Sequence, residues 1–181
     1  MTKVYSFNDY DKYFSLKAGP GLWLVVFYLT HPYLLLFSAA GFGKGRSGGG
    51  GVGVEGFKNI IYPDNFVLMA AILATLPTLL FIYAWARRRP GAPEAVRKIW
   101  PRGAYLLGAN AVLNILIVFM PLLTGSLHSI RSIHISSWGQ VVLSILVIVY
   151  LGFSQRVKDM LADFPKEVES DNAGQKNART P

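Results

Sequence analysis

His31 is the strongest candidate for a chemical role in this sequence, because no other acidic, basic or imidazole side chain lies near the middle of a long apolar stretch. An ionisable group at such a position is by default a candidate for proton or ligand handling. However, Pro32 removes a backbone N–H and frees the carbonyl of Tyr28, so His31 and Thr30 could repair a helix kink. A proton relay also needs a second titratable partner at similar depth, and none is present. We therefore expect His31 to be structural, with proton or ligand handling as the alternative.

Asn110 and Asn114 lie one helical turn apart in the third apolar stretch and share a helix face. Amide side chains in this position hydrogen-bond to neighbouring helices. The functional alternative is a polar translocation path lined by Asn110, Asn114, Thr75 and His31. We expect helix packing and keep the path as the alternative.

Metal and haem chemistry find little support in the sequence. There are 0 Cys residues, which excludes thiolate sites, iron–sulfur clusters and disulfides. His128 and His134 lie outside the apolar stretches, so they offer no second haem ligand within a span and too few ligands for zinc. Asp9 and Asp11 lack the further oxygen ligands that a hard cation needs. We expect no metal, no cofactor and no catalytic residue.

The glycine-rich segment contains residues 43–48 (Gly-Lys-Gly-Arg-Ser-Gly), which formally match the G-x-G-x-x-G pattern of nucleotide-binding loops. The segment follows no predicted strand and lacks the Gly-Lys-Ser/Thr ending of a phosphate-binding loop. So many glycines also make an ordered backbone entropically costly. We expect a flexible linker.

The polar candidates His31, Thr75, Asn110 and Asn114 must be positioned by helices that lie in a lipid bilayer. The chain has 181 residues, 52% hydrophobic and 15% charged, and the charged residues are confined to five segments that leave four long stretches free of them. A helix needs roughly 20 apolar residues to cross a hydrocarbon core about 30 Å thick. The sequence therefore predicts an all-α, polytopic membrane protein with a four-transmembrane-helix bundle, with spans at about 20–42, 65–85, 104–123 and 135–153.

The distribution of basic residues predicts the orientation. Of 18 Lys and Arg residues, 14 lie in the leader 1–19, the basic loop 86–102 and the tail 154–181, and 4 lie in segments 43–64 and 124–134. By the positive-inside rule both termini are cytoplasmic and the glycine-rich loop 43–64 is outside. The flanking charges explain the net charge of +8 without a nucleic-acid partner. We expect the first span to be retained rather than cleaved as a signal peptide, since an acidic, aromatic leader precedes it.

The segments outside the spans have recognisable roles. The aromatic leader is expected to lie on the membrane surface or pack against the bundle. Arg87, Arg88 and Arg89 are expected to be topology determinants, with contacts to lipid headgroups as the alternative. Residues 92–102 are predicted to form a short amphipathic helix. The fourth helix is predicted to continue along the interface until Pro165, with a disordered end after it.

Small residues predict the first packing contact. Ala70, Ala74 and Thr78 recur at four-residue spacing in the second span, next to a kink expected at Pro77. Ala104, Gly108 and Ala111 form a small stripe in the third span. Because small side chains admit a close neighbour, we expect the second and third spans to pack together.

The opening of the chain resembles the YfeZ-like family of bacterial inner-membrane proteins, on residues 5–11 (Tyr-Ser-Phe-Asn-Asp-Tyr-Asp), Leu16-Lys17, Pro20 and residues 22–24 (Leu-Trp-Leu). That family has no known function. The resemblance implies a Gram-negative inner membrane and brings no functional residues with it.

We therefore expect an inner-membrane protein that is not an enzyme and acts as an accessory or interaction protein, through partner helices, self-association or lipid. The alternative is a small transporter or channel subunit that works as an oligomer, since four helices alone make a thin conduit. A membrane enzyme is the third interpretation, because the spans contain no carboxylate.

Overall fold

The computed structural model describes residues 5–11, 13–42, 62, 65–123 and 134–165, with the backbone alone for 38–42. Regular elements within these ranges are all helical, which confirms the all-α class for this part of the chain. The α-helices are α1 (Pro20–Leu29), α2 (His31–Phe42), α3 (Asn65–Ala74), α4 (Leu76–Ala86), α5 (Glu94–Ile99), α6 (Gly103–Leu123), α7 (Ile135–Phe153) and α8 (Gln155–Ala162). Two 3-10 turns, Phe7–Asp9 and Trp100–Arg102, precede α1 and α6.

The long helices are rich in Leu, Ile, Val and Phe. Residues 65–86, 94–123 and 135–153 are each long and apolar enough to cross a membrane. The pair α1 and α2, bent by 56°, passes the same test together and makes a fourth if it counts as one span. The helices therefore meet the length and composition requirements of the predicted spans.

Helix α6 is the centre of the bundle and packs against α7, α4, α3 and α1. Its buried residues recur with helical spacing, because one face of the helix turns towards these neighbours. They include Leu107, Asn110, Ala111, Asn114, Ile117 and Val118. The predicted contact between the second and third spans is confirmed, since α3 and α4 both lie on α6.

The predicted small stripe of α6 is only partly correct. Ala111 is fully buried, but a Cβ atom on Gly108 would meet nothing within 4 Å. Gly108 lies one turn from Ala104 and three residues from Ala111, so it faces about 60° away from the direction of Ala111 around the helix. Gly108 therefore contributes to a groove and not to the contact with α4.

Large apolar side chains cover the outside of the long helices as well as the inside. Leu24, Phe27, Leu73, Leu116 and Leu146 are each more than half exposed. A helix of a water-soluble bundle would carry polar residues on this face. The outer surface is therefore suited to an apolar surrounding.

The leader, α5 and α8 pack together at one end of the bundle. Leu16, Val96, Trp100, Val157 and Met160 belong to one buried cluster there. The aromatic leader thus packs against the bundle, which is one of the two placements that the sequence predicts for it. The tail helix is correctly predicted, but it is not a continuation of the fourth span, because Ser154 interrupts the chain in an extended conformation and caps α8 with its hydroxyl.

Candidate functional site at the helix breaks

Two helix breaks with the same sequence pattern, Thr-x-Pro, interrupt the first and second predicted spans. Residues 30–32 (Thr-His-Pro) separate α1 from α2, and residues 75–77 (Thr-Leu-Pro) separate α3 from α4. In both, the proline occupies the second position of the following helix, where its missing N–H is tolerated. The parallel is visible in the sequence, where Pro32 and Pro77 predict a kink in each span.

The two threonines act alike. Thr30 Oγ1 donates to the carbonyl of Val26 at 2.9 Å, and Thr75 Oγ1 donates to that of Ala71 at 2.8 Å. A hydroxyl bonded four residues back bends a helix. Thr75 is fully buried, and its hydroxyl is engaged by the last turn of α3.

His31 binds on both sides of its ring. Nδ1 lies 2.6 Å from the carbonyl oxygen of Tyr28, and Nε2 lies 2.7 Å from the hydroxyl of Tyr62. A carbonyl only accepts, so Nδ1 carries the hydrogen, and Nε2 of the neutral ring accepts from Tyr62. His31 therefore bonds the carbonyl that Pro32 frees, which is the structural contact that the sequence predicts.

The side chain of Tyr28 extends the contact to α7. Its hydroxyl donates to the carbonyl of Gln140 at 2.9 Å and lies 2.9 Å from Oγ of the buried Ser144. The ring of Tyr28 also stacks on that of His31, with 5.4 Å between ring centroids. The first helix break is thus held between Tyr62 on one side and α7 on the other.

Asn110 joins three helices. Its Nδ2 donates to Thr78 Oγ1 of α4 at 2.6 Å and makes a long contact of 3.5 Å with the carbonyl of Leu29 in α1. That carbonyl is available because the amide of Tyr33 bonds to Thr30 O at 3.1 Å instead. Asn110 therefore packs against the first break and against the helix that follows the second.

Two polar atoms of α6 remain without a partner among the described residues. They are Oδ1 of Asn110 and Nδ2 of Asn114, and both side chains are buried. A free acceptor and a free donor could hydrogen-bond a water or a small polar molecule. They supply no acid or base, and His31 bonds to Tyr28 and Tyr62 rather than to Asn110, Asn114 or Thr75 among the described residues.

The three arginines of the basic loop differ in their environments. The side chain of Arg88 is 6% exposed, donates to Leu16 O at 3.0 Å and Asp163 O at 2.9 Å, and lies over the ring of Trp100. Burial lowers the pKa of Arg88. Arg87 and Arg89 are exposed. Arg88 is thus occupied by contacts within the chain, whereas its two neighbours face outwards.

We call the contacts between the leader and residues 156–163 the terminal clasp. Arg156 donates to Asp9 at 2.7 Å, the hydroxyl of Tyr5 donates to Asp159 at 2.6 Å, and the amide of Leu16 donates to Asp163 at 2.8 Å. The guanidinium of Arg156 lowers the pKa of Asp9, and the hydrogen bond to Asp159 raises the pKa of Tyr5. The clasp ties the two ends of the described chain together.

The structure also places the residues considered as metal ligands. Asp9 bonds Arg156, and Asp11 Oδ1 accepts from the amides of Tyr13 and Ser15. His134 accepts from the amide of Ser136 and so caps α7. Within the described ranges no group of three or more His, Cys, Asp or Glu could hold a metal. His128 and residues 43–61 of the glycine-rich loop lie outside the described residues.

Sequence reasoning missed Tyr62, Gln140, Ser144 and the hydroxyl of Tyr28 as partners around the first break. Tyr62 lies 31 residues from His31 in the chain and follows no helical spacing that could point to it. Thr78 was recognised as a small packing residue, and its hydroxyl is the additional feature.

One protein-family model matches residues 5–163, from the leader to the end of the clasp, and its description is Protein of unknown function (DUF2919). This match confirms that the chain resembles an uncharacterised family, but it does not extend to the YfeZ-like name. No curated protein matches the chain, and no solved structure matches it.

Proposed function

The chain belongs to this family of proteins of unknown function, DUF2919, and we propose that it is a polytopic membrane protein that acts without catalysis. It works through contacts with lipid or with other membrane proteins. The observation that carries the proposal is the combination of an apolar outer surface with interior polar side chains that hydrogen-bond to groups of the chain itself, as Asn110 does with Thr78 and Thr75 with the carbonyl of Ala71.

Insertion into a membrane is supported by the three long apolar helices and the bent pair. We expect the protein to stay with membranes after extraction with alkaline carbonate and to dissolve only in detergent. Release into the aqueous phase by carbonate would contradict the proposal. Phe7 and Phe14 are exposed in the leader, where aromatic rings suit the membrane interface.

Both termini are proposed to be cytoplasmic. The terminal clasp supports this, because a leader that contacts α8 requires an even number of crossings between them. The excess of Lys and Arg in the same segments favours a cytoplasmic position for that end by the positive-inside rule. The resemblance to YfeZ-like proteins supports the bacterial inner membrane. A reporter fused after Pro181 should be active only in its cytoplasmic form.

An accessory or interaction role is supported by the contacts of His31. Both ring nitrogens bind groups of the chain itself, as expected of a residue that holds the fold. Photo-crosslinking from exposed positions of α6 and α7, such as Leu116 and Leu146, should recover a defined partner, a second copy or lipid in native membranes. A chain that remains monomeric and recovers no partner or bound lipid would remove the main support for this role.

A transporter or channel subunit is the second candidate, and the paired Thr-x-Pro breaks favour it. Discontinuous helices near the midplane line the substrate sites of many transporters, and Asn110 Oδ1 and Asn114 Nδ2 are free to bind a polar solute. Flux through reconstituted vesicles should then fall in the His31→Ala and Asn114→Leu variants. Unchanged flux in both would count against this candidate and leave the first one intact.

A further inference from the structure

A groove runs along the outside of the bundle between α6 and α7 and reaches α8. Its volume is about 850 Å³, which is in the range of a small-molecule site. Its walls are formed by Ala104, Gly108 and Val112 on one side and by Ile148 and Gly152 on the other, with Lys158 at one end. The lining is almost entirely apolar, and the groove opens to the surroundings of the bundle.

Two glycines create this space. A Cβ atom on Gly108 or Gly152 would meet nothing within 4 Å. Two other glycines of the bundle instead admit a close neighbour, since a Cβ on Gly21 would lie 2.6 Å from the hydroxyl of Tyr150 and one on Gly103 would lie 2.6 Å from the ring of Phe81. Gly108 and Gly152 therefore leave room for something outside the bundle.

Lys158 is the charged residue of the groove lining. It is exposed and forms no ion pair with an acidic residue in the part of the chain that the structure describes. It lies on α8, at the end of the bundle with the terminal clasp and the basic loop. A cation here suits an anionic group at the level of the lipid headgroups.

The length of the groove fits one leaflet. From Ala104 to Val112 it follows about 12 Å of helix at 1.5 Å per residue, and one leaflet of a 30 Å hydrocarbon core is about 15 Å deep. A partner helix would follow the span over its whole length. The groove instead ends near the middle and begins beside a cation, which is the pattern of an amphiphile with one charged end.

We propose that this groove binds an anionic phospholipid of the cytoplasmic leaflet, with one acyl chain over Gly108 and Gly152 and the phosphate at Lys158. The inference deepens the proposed function and rests on insertion into a membrane. The partner of the groove between α6 and α7 is then a lipid.

The test uses the full chain reconstituted in vesicles of equal parts phosphatidylcholine and phosphatidylglycerol, extracted in mild detergent and analysed by native mass spectrometry. The wild type should retain one phosphatidylglycerol per chain, with a preference of about fivefold over phosphatidylcholine, the factor that one basic residue contributes near an anionic surface. Lys158→Gln should abolish the preference and leave a weakly held lipid of either kind. Gly108→Leu and Gly152→Leu should remove the retained lipid.

Matched variants control for surface and folding effects. Gly139→Leu also adds a side chain in open space on α7, but lies outside the groove and should retain the lipid. Lys98→Gln removes an exposed cation paired with Glu94 and should keep the preference. If Gly108→Leu proved unstable, Lys158→Gln would still test the headgroup contact, because Lys158 is exposed.

Three results would overturn the inference. They are equal retention of the two lipids by the wild type, equal loss in Gly108→Leu and Gly139→Leu, and a crosslinked dimer that disappears in Gly108→Leu, which would assign the groove to a second copy. Each of these leaves membrane insertion standing. Release of the wild type by carbonate would refute the proposed function itself and is measured before reconstitution.

Discussion

The side-chain amide of Asn110 donates to the hydroxyl of Thr78 at 2.6 Å, and neither residue is exposed. The bond joins α6 to α4 beside the carbonyl of Leu29, at the end of α1. It connects the central helix of the bundle to both interrupted spans, and the stability of the interior can be tested there.

Thr78→Val keeps the shape of the side chain and removes the acceptor of Asn110. Hydrogen bonds between membrane helices contribute about 0.6 kcal/mol on average and up to about 1.7 kcal/mol. We expect the free energy of unfolding to fall by an amount at the upper end of this range, because Asn110 Nδ2 then keeps only its 3.5 Å contact with the carbonyl of Leu29. The measurement is the free energy of unfolding in detergent for Thr78→Val, for Asn110→Ala and for the double variant. Purely additive effects would show that the bond contributes nothing.

Tyr62→Phe should weaken the attachment of His31 at the first break. The variant leaves Nε2 without its donor and retains the ring that stacks on His31 at 6.0 Å. The expected loss in unfolding free energy is about 1 kcal/mol, and it should vanish in a His31→Ala background. Tyr83→Phe, at an exposed tyrosine of α4, is the matched control. An undiminished effect of Tyr62→Phe in the His31→Ala background would contradict the assigned contact.

Arg88→Ala should loosen the leader far more than Arg87→Ala. It removes two hydrogen bonds from a buried guanidinium, to Leu16 O and Asp163 O, and exposes the face of Trp100. Each bond to a charged group contributes about 1.5–3 kcal/mol, whereas an exposed substitution stays within about 0.5 kcal/mol. Hydrogen exchange of residues 13–19 should rise in the first variant alone. Equal exchange in both would place Arg88 at the surface.

Glycine substitutions should separate the packed positions from the open ones within α6. Gly103→Ala would place a methyl group 2.6 Å from the ring of Phe81 and 2.8 Å from Leu161, and overpacking typically costs about 1–3 kcal/mol. Gly108→Ala meets open space and should be neutral or stabilise by up to about 1 kcal/mol. Thermal unfolding in one detergent compares them. Similar losses in both would mean that Gly108 is packed.

The stabilisation from the Asp9–Arg156 contact should depend on pH. Arg156 lowers the pKa of Asp9 below its ordinary value of 3.8, so the folded state binds the proton less tightly than the unfolded state. The stabilisation is therefore complete above pH 3.8 and is lost as pH falls through the lower pKa of the folded chain. The protection factors of the leader amides, which compare the measured exchange rate with the intrinsic rate at the same pH, should stay constant from neutral pH to about that value and fall below it.

Asp9→Asn is the control for this titration. It removes the carboxyl that Arg156 contacts, so the protection factors of its leader should be lower at neutral pH and change less on acidification. Wild-type protection factors that already fall on acidification at a pH well above 3.8 would contradict the lowered pKa of Asp9.

The sequence predicts the helices better than it predicts the contacts at the two helix breaks. Apolar stretches, flanking charges and the positions of Pro32 and Pro77 are local properties, and the long helices follow them closely. The contact from His31 to Tyr28 O was also predictable, because the freed carbonyl lies one turn away. Tyr62 was not, since its position against His31 depends on how a segment outside the helices returns to the bundle.

The basic loop illustrates the same limit. In the sequence Arg87, Arg88 and Arg89 are equivalent, and any of the three could face a headgroup. The fold distinguishes them, because only Arg88 lies where the leader, Trp100 and the clasp meet. The buried contact requires three segments far apart in the chain, so no local pattern reveals it.

By itself, the sequence determined the all-helical class, the four apolar stretches and the charge asymmetry between their ends, since each depends on residue types counted along the chain. The tertiary structure alone decided that Asn110 bonds Thr78, that the leader and residues 156–163 form the terminal clasp, and that Gly108 and Gly152 line one groove. The physical reason is that hydrogen bonds and grooves depend on the rotation and register of neighbouring helices. Apolar surfaces pack in many such arrangements, and only specific contacts select one.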